Sequence, residues 1–470
     1  MHDLARASLL GSVVMAALLG AAACWKVAPD SAKDTLFEGS VESSLIESIL
    51  VTPDEGGDGL SADDGGASDG SSDGPAALVI APTGSPLLAT GVGFGCHVDP
   101  AGDVWCWGND GFGQAGGAPT STSITIPRQV MGVANVVALA LGDSHACAVT
   151  ASHAVYCWGL NNAYQLGHPA ATAGDQICPG TASGQTVPCS STPSLVADLS
   201  DAVAIAAAGA WTCIRATGGT VQCWGGVQGI ATDAGVACGL GTQASGGTCY
   251  PAPYTVAGLD GATQLAMGFD HACVIATPDA ESDAGNQVSC WGNNNEGQVS
   301  PSACPQSSCA SPIARSDLPT TISLATGDHF SCALALDGTV RCFGDNTYGQ
   351  LGHPSGTAGD QGTALEGGLG IYNPAATLAS ATAVASLVGG GNEASCALLE
   401  SGAAECWGDV LAGGRATPAV VTGLPPLNAL GTFDGAYVCG IAAADGTLWC
   451  WTLGSTSAPV SLAAVVDSGG

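Results

Sequence analysis

The residues with the most chemistry to offer are the cysteines, 21 in a chain of 470. Fourteen fall into seven pairs: Cys96 with Cys106, Cys147 with Cys157, Cys213 with Cys223, Cys273 with Cys290, Cys332 with Cys342, Cys396 with Cys406, and Cys439 with Cys450. Three more local pairs, Cys178 with Cys189, Cys238 with Cys249 and Cys304 with Cys309, lie between them, which leaves Cys24 alone. Structural zinc needs thiolates at C-x2-C spacing with a second such cluster, and no C-x2-C occurs in the chain. The chemistry that remains is oxidation to ten disulfides, which requires an oxidising compartment.

Other side chains give weaker signals. His168 with Asp175, and His353 with Asp360, sit in matching Gly-His-Pro…Gly-Asp-Gln segments. His plus Asp at this spacing is a ligand pair for a metal, although repetition of a loop explains it equally, and no metal or other cofactor is assigned. His145, His271 and His329 stand just ahead of the first cysteine of their pairs, where other copies have Phe94, Trp211, Ala394 and Tyr437. Exchange with Phe and Trp marks an aromatic-sized packing position rather than acid–base catalysis. There is no G-x-S-x-G, no H-E-x-x-H and no lysine-bearing phosphate loop, so no catalytic residue is named.

The elements that carry the cysteines are strands. Val340-Arg341-Cys342-Phe343 alternates, and Asp337-Gly338 supplies a turn. A tip at Asp337 pairs 334 with 340 and sets Cys332 directly opposite Cys342. Facing residues at a non-hydrogen-bonded site lie about 4.5 Å apart at Cα, within reach of a disulfide. Each pair therefore reads as a cross-strand staple inside its own hairpin, the copy with Cys273 and Cys290 having a longer tip. Trp107, Trp158, Trp224, Trp291, Phe343, Trp407 and Trp451 follow the second cysteine and are expected to pack between repeats. The glycines next in line are expected to serve a tight strand exit.

First cysteines recur about every 57 residues, a period typical of propellers and solenoids. The pattern Gly-x-x-His-x-Cys-Ala followed by Val-x-Cys-Trp-Gly-x-Asn-x-x-Gly-Gln-Leu-Gly, fullest at 142–167 and 327–352, resembles the regulator of chromosome condensation repeat in a bacterial, disulfide-bearing form. The resemblance implies an all-β, seven-bladed β-propeller of antiparallel sheets over 77–470. Units are expected to begin with strands such as Ile126 to Val130, so that the spare segment Ala458 to Leu462 joins the first copy and strands from both termini close the ring.

The amino terminus points to export. Residues 1–23 have the apolar run of a signal peptide, and Leu-Leu-Gly-Ala-Ala-Ala-Cys24 resembles a bacterial lipoprotein signal, which would make Cys24 the lipid attachment site. Residues 24–76, rich in Gly, Ser and Asp, are expected to form a disordered acidic tether. The chain would then be a cell-envelope or outer-membrane lipoprotein, or otherwise secreted or periplasmic, touching membrane only through that lipid.

With 8 Lys and Arg against 40 Asp and Glu the formal charge is −32. This excludes nucleic acid, whose binding rests on phosphate neutralisation. Function is expected in the long connections Gly167 to Pro193, Gly225 to Pro253, Gln298 to Pro312 and Gly352 to Pro374, since loops on a rigid scaffold carry recognition. The partner would be a protein or glycan and the chain a monomer. An exported lyase or hydrolase working at a channel mouth, or a purely structural envelope protein, are the alternatives.

Overall fold

The computed structural model describes residues 87–461 except 171, 173, 181–184, 228–234, 239–247, 278–284, 301–303, 305–307, 355–375, 378–383, 391–393, 409–414, 433–436, 446 and 454–457. Cys24, the leader at 1–23 and the tether at 24–76 lie outside the described residues.

Seven antiparallel sheets are formed by residues 87–129, 136–195, 202–255, 262–314, 321–377, 384–420 and 427–461, numbered here as blades 1 to 7. The four principal strands of each blade follow chain order, so each sheet is a meander. The inner strands, from Leu87–Gly91 in blade 1 to Leu427–Thr432 in blade 7, touch one another in sequence, and the last touches the first. Seven blades thus close a ring.

The manner of closure corrects one expectation. Among the described residues, no blade takes strands from both ends of the chain. Leu87–Gly91 is already the inner strand of blade 1, and Val460–Ser461 is the outer strand of blade 7, paired with Trp449 and Cys450. The segment containing Ile126 is likewise the outer strand of blade 1 rather than the start of blade 2. Outer and inner strands read alike in sequence, so the repeat frame drawn from sequence starts one strand too early. Closure rests on packing between blades 1 and 7, where Leu88 lies against Gly431.

The second and third strands are the cysteine hairpins. Each pair faces across the ladder: Cys96 opposite Cys106, Cys147 opposite Cys157, Cys213 opposite Cys223, Cys273 opposite Cys290, Cys332 opposite Cys342, Cys396 opposite Cys406, and Cys439 opposite Cys450. All seven pairs are disulfide-bonded as the hairpin register requires, with Cα separations of 4.0–4.1 Å. Cys178 with Cys189, Cys238 with Cys249, and Cys304 with Cys309 are also bonded.

The core lies between blades. Trp158 packs into the cluster of blade 1, Trp224 into that of blade 2, Trp291 into blade 3 and Trp407 into blade 5. Burying an aromatic of this size removes about 150–250 Å² from water, and each indole fastens its blade to the one before. The glycine after it makes this possible. Gly159 has φ +106°, and a Cβ there would stand 2.6 Å from the Ser144 carbonyl oxygen and 2.8 Å from the His145 Cα. The third strand bulges at this point before meeting the fourth.

Candidate functional site

In a meander, the first-to-second and third-to-fourth connections leave from one end of the sheet, and the second-to-third tips and blade crossovers from the other. All four long inserts connect third to fourth strands. They share a face with the short inner connections that surround the channel mouth. In blades 2 and 3 the insert adds a fifth strand, Gln176–Pro179 and Val236–Ala237, each held to its neighbour by the local disulfide. Ile177 and Val236, 67% and 45% exposed, present apolar surface there.

The bases of the inserts are built by the Asn-x-x-Gly-Gln segment, in which Tyr164 takes the glycine position in blade 2. There, Asn161 Oδ1 accepts from the Leu166 amide and Gln165 Oε1 from the Ala163 amide. Asn294 with Gln298, and Asn346 with Gln350, repeat the arrangement in blades 4 and 5. These buried amides satisfy loop N–H groups that have no ladder partner, which fixes the stem from which each insert projects.

His168 and Asp175 belong to that framework. Asp175 Oδ2 accepts from Asn161 Nδ2 at 2.8 Å, and His168 Nε2 lies 3.8 Å from Asp175 Oδ1 and 3.3 Å from Ser194 Oγ. The Ser–His–Asp grouping is not a nucleophile triad, because serine and aspartate meet the same ring nitrogen while Ser194 Oγ donates to the Cys157 carbonyl. His353 stands on Asn346 in the same way; Asp360 lies outside the described residues. Among the described residues, no group of three or more His, Cys, Asp or Glu side chains is placed to hold a metal ion.

The histidines ahead of the cysteines divide into two kinds. His145 and His271 are fully buried, and their Nε2 atoms share hydrogen bonds with Thr212 Oγ1 at 2.7 Å and Ser331 Oγ at 2.8 Å in the next blade. Burial pulls their pKa values down to about 3 and about 4. His329 is out of this register by one residue. Phe330 fills the packing position, opposite Gly344, while His329 lies in the inner connection of blade 5, its Nδ1 3.5 Å from Asp270 Oδ1 of blade 4. Burial opposes its protonation, but Asp270, with Asp328 and Asp345, outweighs that and raises its pKa. Nothing in the sequence pairs 270 with 329; only blade adjacency does.

The axis holds a cavity of about 390 Å³ lined by the inner strands of all seven blades. At its mouth a glycine ends the inner run of several blades, among them Gly91, Gly142, Gly209 and Gly268. Side chains there would strike the neighbouring strand: a Cβ on Gly91 would lie 2.3 Å from the Gly142 carbonyl oxygen, and one on Gly268 2.3 Å from that of Gly327. Inner strands converge too closely for any other residue. The repeated Gly ahead of each cysteine hairpin, legible in 142–147 and 268–273, is the sequence signal for this collar.

Fold and face together define a disulfide-stapled, seven-bladed β-propeller with one elaborated face. Its repeats match two models of the regulator of chromosome condensation (RCC1) repeat, one at residues 136–165 and 322–350, the other at 101–149 and 152–214. Among solved structures, Prp20p from Saccharomyces cerevisiae, whose binding properties to Gsp1p and histones were described with it, is 18% identical, with 77% of this chain and 86% of that one covered at a TM-score of 0.57. Yeast RCC1 (Prp20) bound to Kap60 gives 19% identity, 75% and 79% coverage and a TM-score of 0.57. Human WBSCR16 gives 17%, 74% and 84%, and 0.56. Likeness at these identities establishes the fold.

Proposed function

We propose that this chain is an exported, lipid-anchored module that binds a protein through its insert-bearing face. The observation that carries the proposal is the placement of all four long inserts in third-to-fourth connections, on the face that holds the channel mouth. The inner strand of blade 1 runs toward the insert face and the outer strand of blade 7 runs away from it, so the described chain enters and leaves from the opposite face. Prp20p, a propeller of the same fold, is described with protein partners, which favours a protein over a glycan. The net charge of −32 favours a neutral or cationic one.

Two experiments test this. Labelling with a fatty acid should mark the wild type and not Cys24→Ser; equal labelling of both would remove the anchor. Cross-linked capture from intact cell envelopes should be lost when 178–189 and 238–249 are both replaced by short Gly-Ser links, with the seven hairpin disulfides and the sheet signal in circular dichroism retained. Capture that survives, or a hit only on a glycan array, would overturn the protein-binding assignment.

A further inference from the structure

We propose that the axial cavity is a binding site for a primary alkylammonium, either a lysine side chain of a protein or a free alkylamine. This deepens the protein-binding assignment by naming the group recognised at the centre of the face, and it can be tested without the partner.

At about 390 Å³ the cavity lies near the lower end of small-ligand sites. Leu88, Leu141, Met267, Leu387 and Leu430 line it together with the main chain of the glycine collar, so its surface is mixed polar and apolar, and Phe269 stands at the insert-face end. An alkylammonium suits such a wall, its head group meeting carbonyls and carboxylates and its stem the apolar side chains.

The charge selects a cation. Of the described residues lining the cavity, only Asp143 and Asp328 are ionisable, and both stand in the inner connections at the mouth. No Lys or Arg is among those lining residues. Around His329, beside Asp328, are grouped Asp270, Glu296 and Asp345. The mouth and its neighbouring connections therefore carry five carboxylates against one imidazole. An ammonium at the collar would meet carboxylates and main-chain carbonyls while its stem displaces water from leucine and methionine.

The test uses the full chain with methyl-labelled methionine. Met267 lines the cavity, whereas Met131, 70% exposed, lies in the crossover after blade 1 on the opposite face and serves as the control. The probes are the peptide acetyl-Gly-Lys-Gly-amide, its Nε-acetylated counterpart and 1,5-diaminopentane. The lysine peptide is expected to shift the Met267 methyl and leave Met131 unmoved, the acetylated peptide to do neither, and the D143N/D328N double variant to weaken binding by about tenfold or more, with its melting temperature unchanged. A response to the peptide alone assigns the site to a protein lysine; a response to the diamine as well admits a free amine. The replacement of both stapled inserts should leave this binding intact even where it abolishes partner capture, which separates the two proposals. No Met267 shift at millimolar probe, an equal shift with the acetylated peptide, or unchanged affinity in folded D143N/D328N would overturn the site.

Discussion

The indole Nε1 of Trp158 in blade 2 donates to the main-chain carbonyl of Gln114 in blade 1 at 2.9 Å. Trp224 reaches the Gln165 carbonyl at 3.0 Å in the same way, and Trp407 that of Gln350. In these three the acceptor is the glutamine that closes the Asn-x-x-Gly-Gln segment of the preceding blade, Asp110 standing for the asparagine in blade 1. Blade 3 has no such segment, and Trp291 of blade 4 is correspondingly a buried indole whose Nε1 has no hydrogen-bond partner among the described residues. Two identical positions in the repeat thus differ in energy because of what the previous blade supplies.

Substitution by phenylalanine should expose that difference. Trp158→Phe keeps much of the packing and loses one buried hydrogen bond, a cost of about 1 kcal/mol or more where the acceptor is left unsatisfied. Trp291→Phe leaves a similar cavity but removes an unsatisfied donor, so it should cost about 1 kcal/mol less than Trp158→Phe. The pair is compared by denaturant midpoints with disulfides intact. Equal losses would mean that the indole bonds add nothing to blade adhesion.

Backbone conformation separates two glycines in a similar way. Gly338, at a hairpin tip with φ +82°, has nothing within 4 Å of the position a methyl group would take, whereas at Gly159 the methyl would run into main chain of the second strand. Gly338→Ala should cost about 1–2 kcal/mol, the penalty of a left-handed alanine. Gly159→Ala adds overlap with a backbone that cannot yield, on the order of 2 kcal/mol beyond that. Thermal melts of the two variants decide the order, and a milder Gly159→Ala would contradict the strand-exit role.

The hairpins were legible in sequence because their signal is local. Alternation, a turn and two cysteines fix the register over one short hairpin, and the pairing of Cys332 with Cys342 follows from them alone. The blade frame was not legible, since Leu87–Gly91 and the outer strands carry the same short, weakly alternating apolar pattern. His329 shows the limit most clearly. It shares the glycine-to-cysteine neighbourhood of His145 and His271, yet a shift of a single residue hands the packing position to Phe330 and turns the imidazole toward Asp270. The cavity also left no local signal, because glycines scattered at blade spacing gain meaning only when the ring brings them together.

The His329–Asp270 pair should titrate visibly. Its imidazole pKa is raised above 6.5, so the stabilisation it gives is complete below that value and is lost as pH rises through the folded-state pKa. Proton titration by NMR should place His329 above 6.5 in the wild type. In Asp270→Asn, burial, already the largest single influence, loses its main opponent and the value should fall. A His329 pKa indifferent to Asp270→Asn would show that the contact is not an ion pair in solution.

His145 and His271 make the opposite prediction on the acid side. Each is buried as the neutral imidazole, with pKa values of about 3 and about 4 against 6.5 for the free side chain. Below pH 6.5 the unfolded chain takes up protons that the folded chain refuses, so stability falls by about 1.4 kcal/mol per pH unit for each histidine until its folded value is reached. Carboxylates held below their usual range, such as Asp270 and Asp317, act mainly at lower pH, whereas His97, also lowered by burial, adds to the decline and Asp110, Glu296 and Glu405, raised by burial, act against it. Phenylalanine already occupies the equivalent position in blades 1 and 5, as Phe94 and Phe330. The double variant H145F/H271F loses the bonds to Thr212 and Ser331 at every pH, but its stability should decline less steeply than that of the wild type between about pH 6.5 and about pH 4. Urea midpoints measured at half-unit steps would show this, and parallel slopes for the two proteins would mean that other groups govern the acid response.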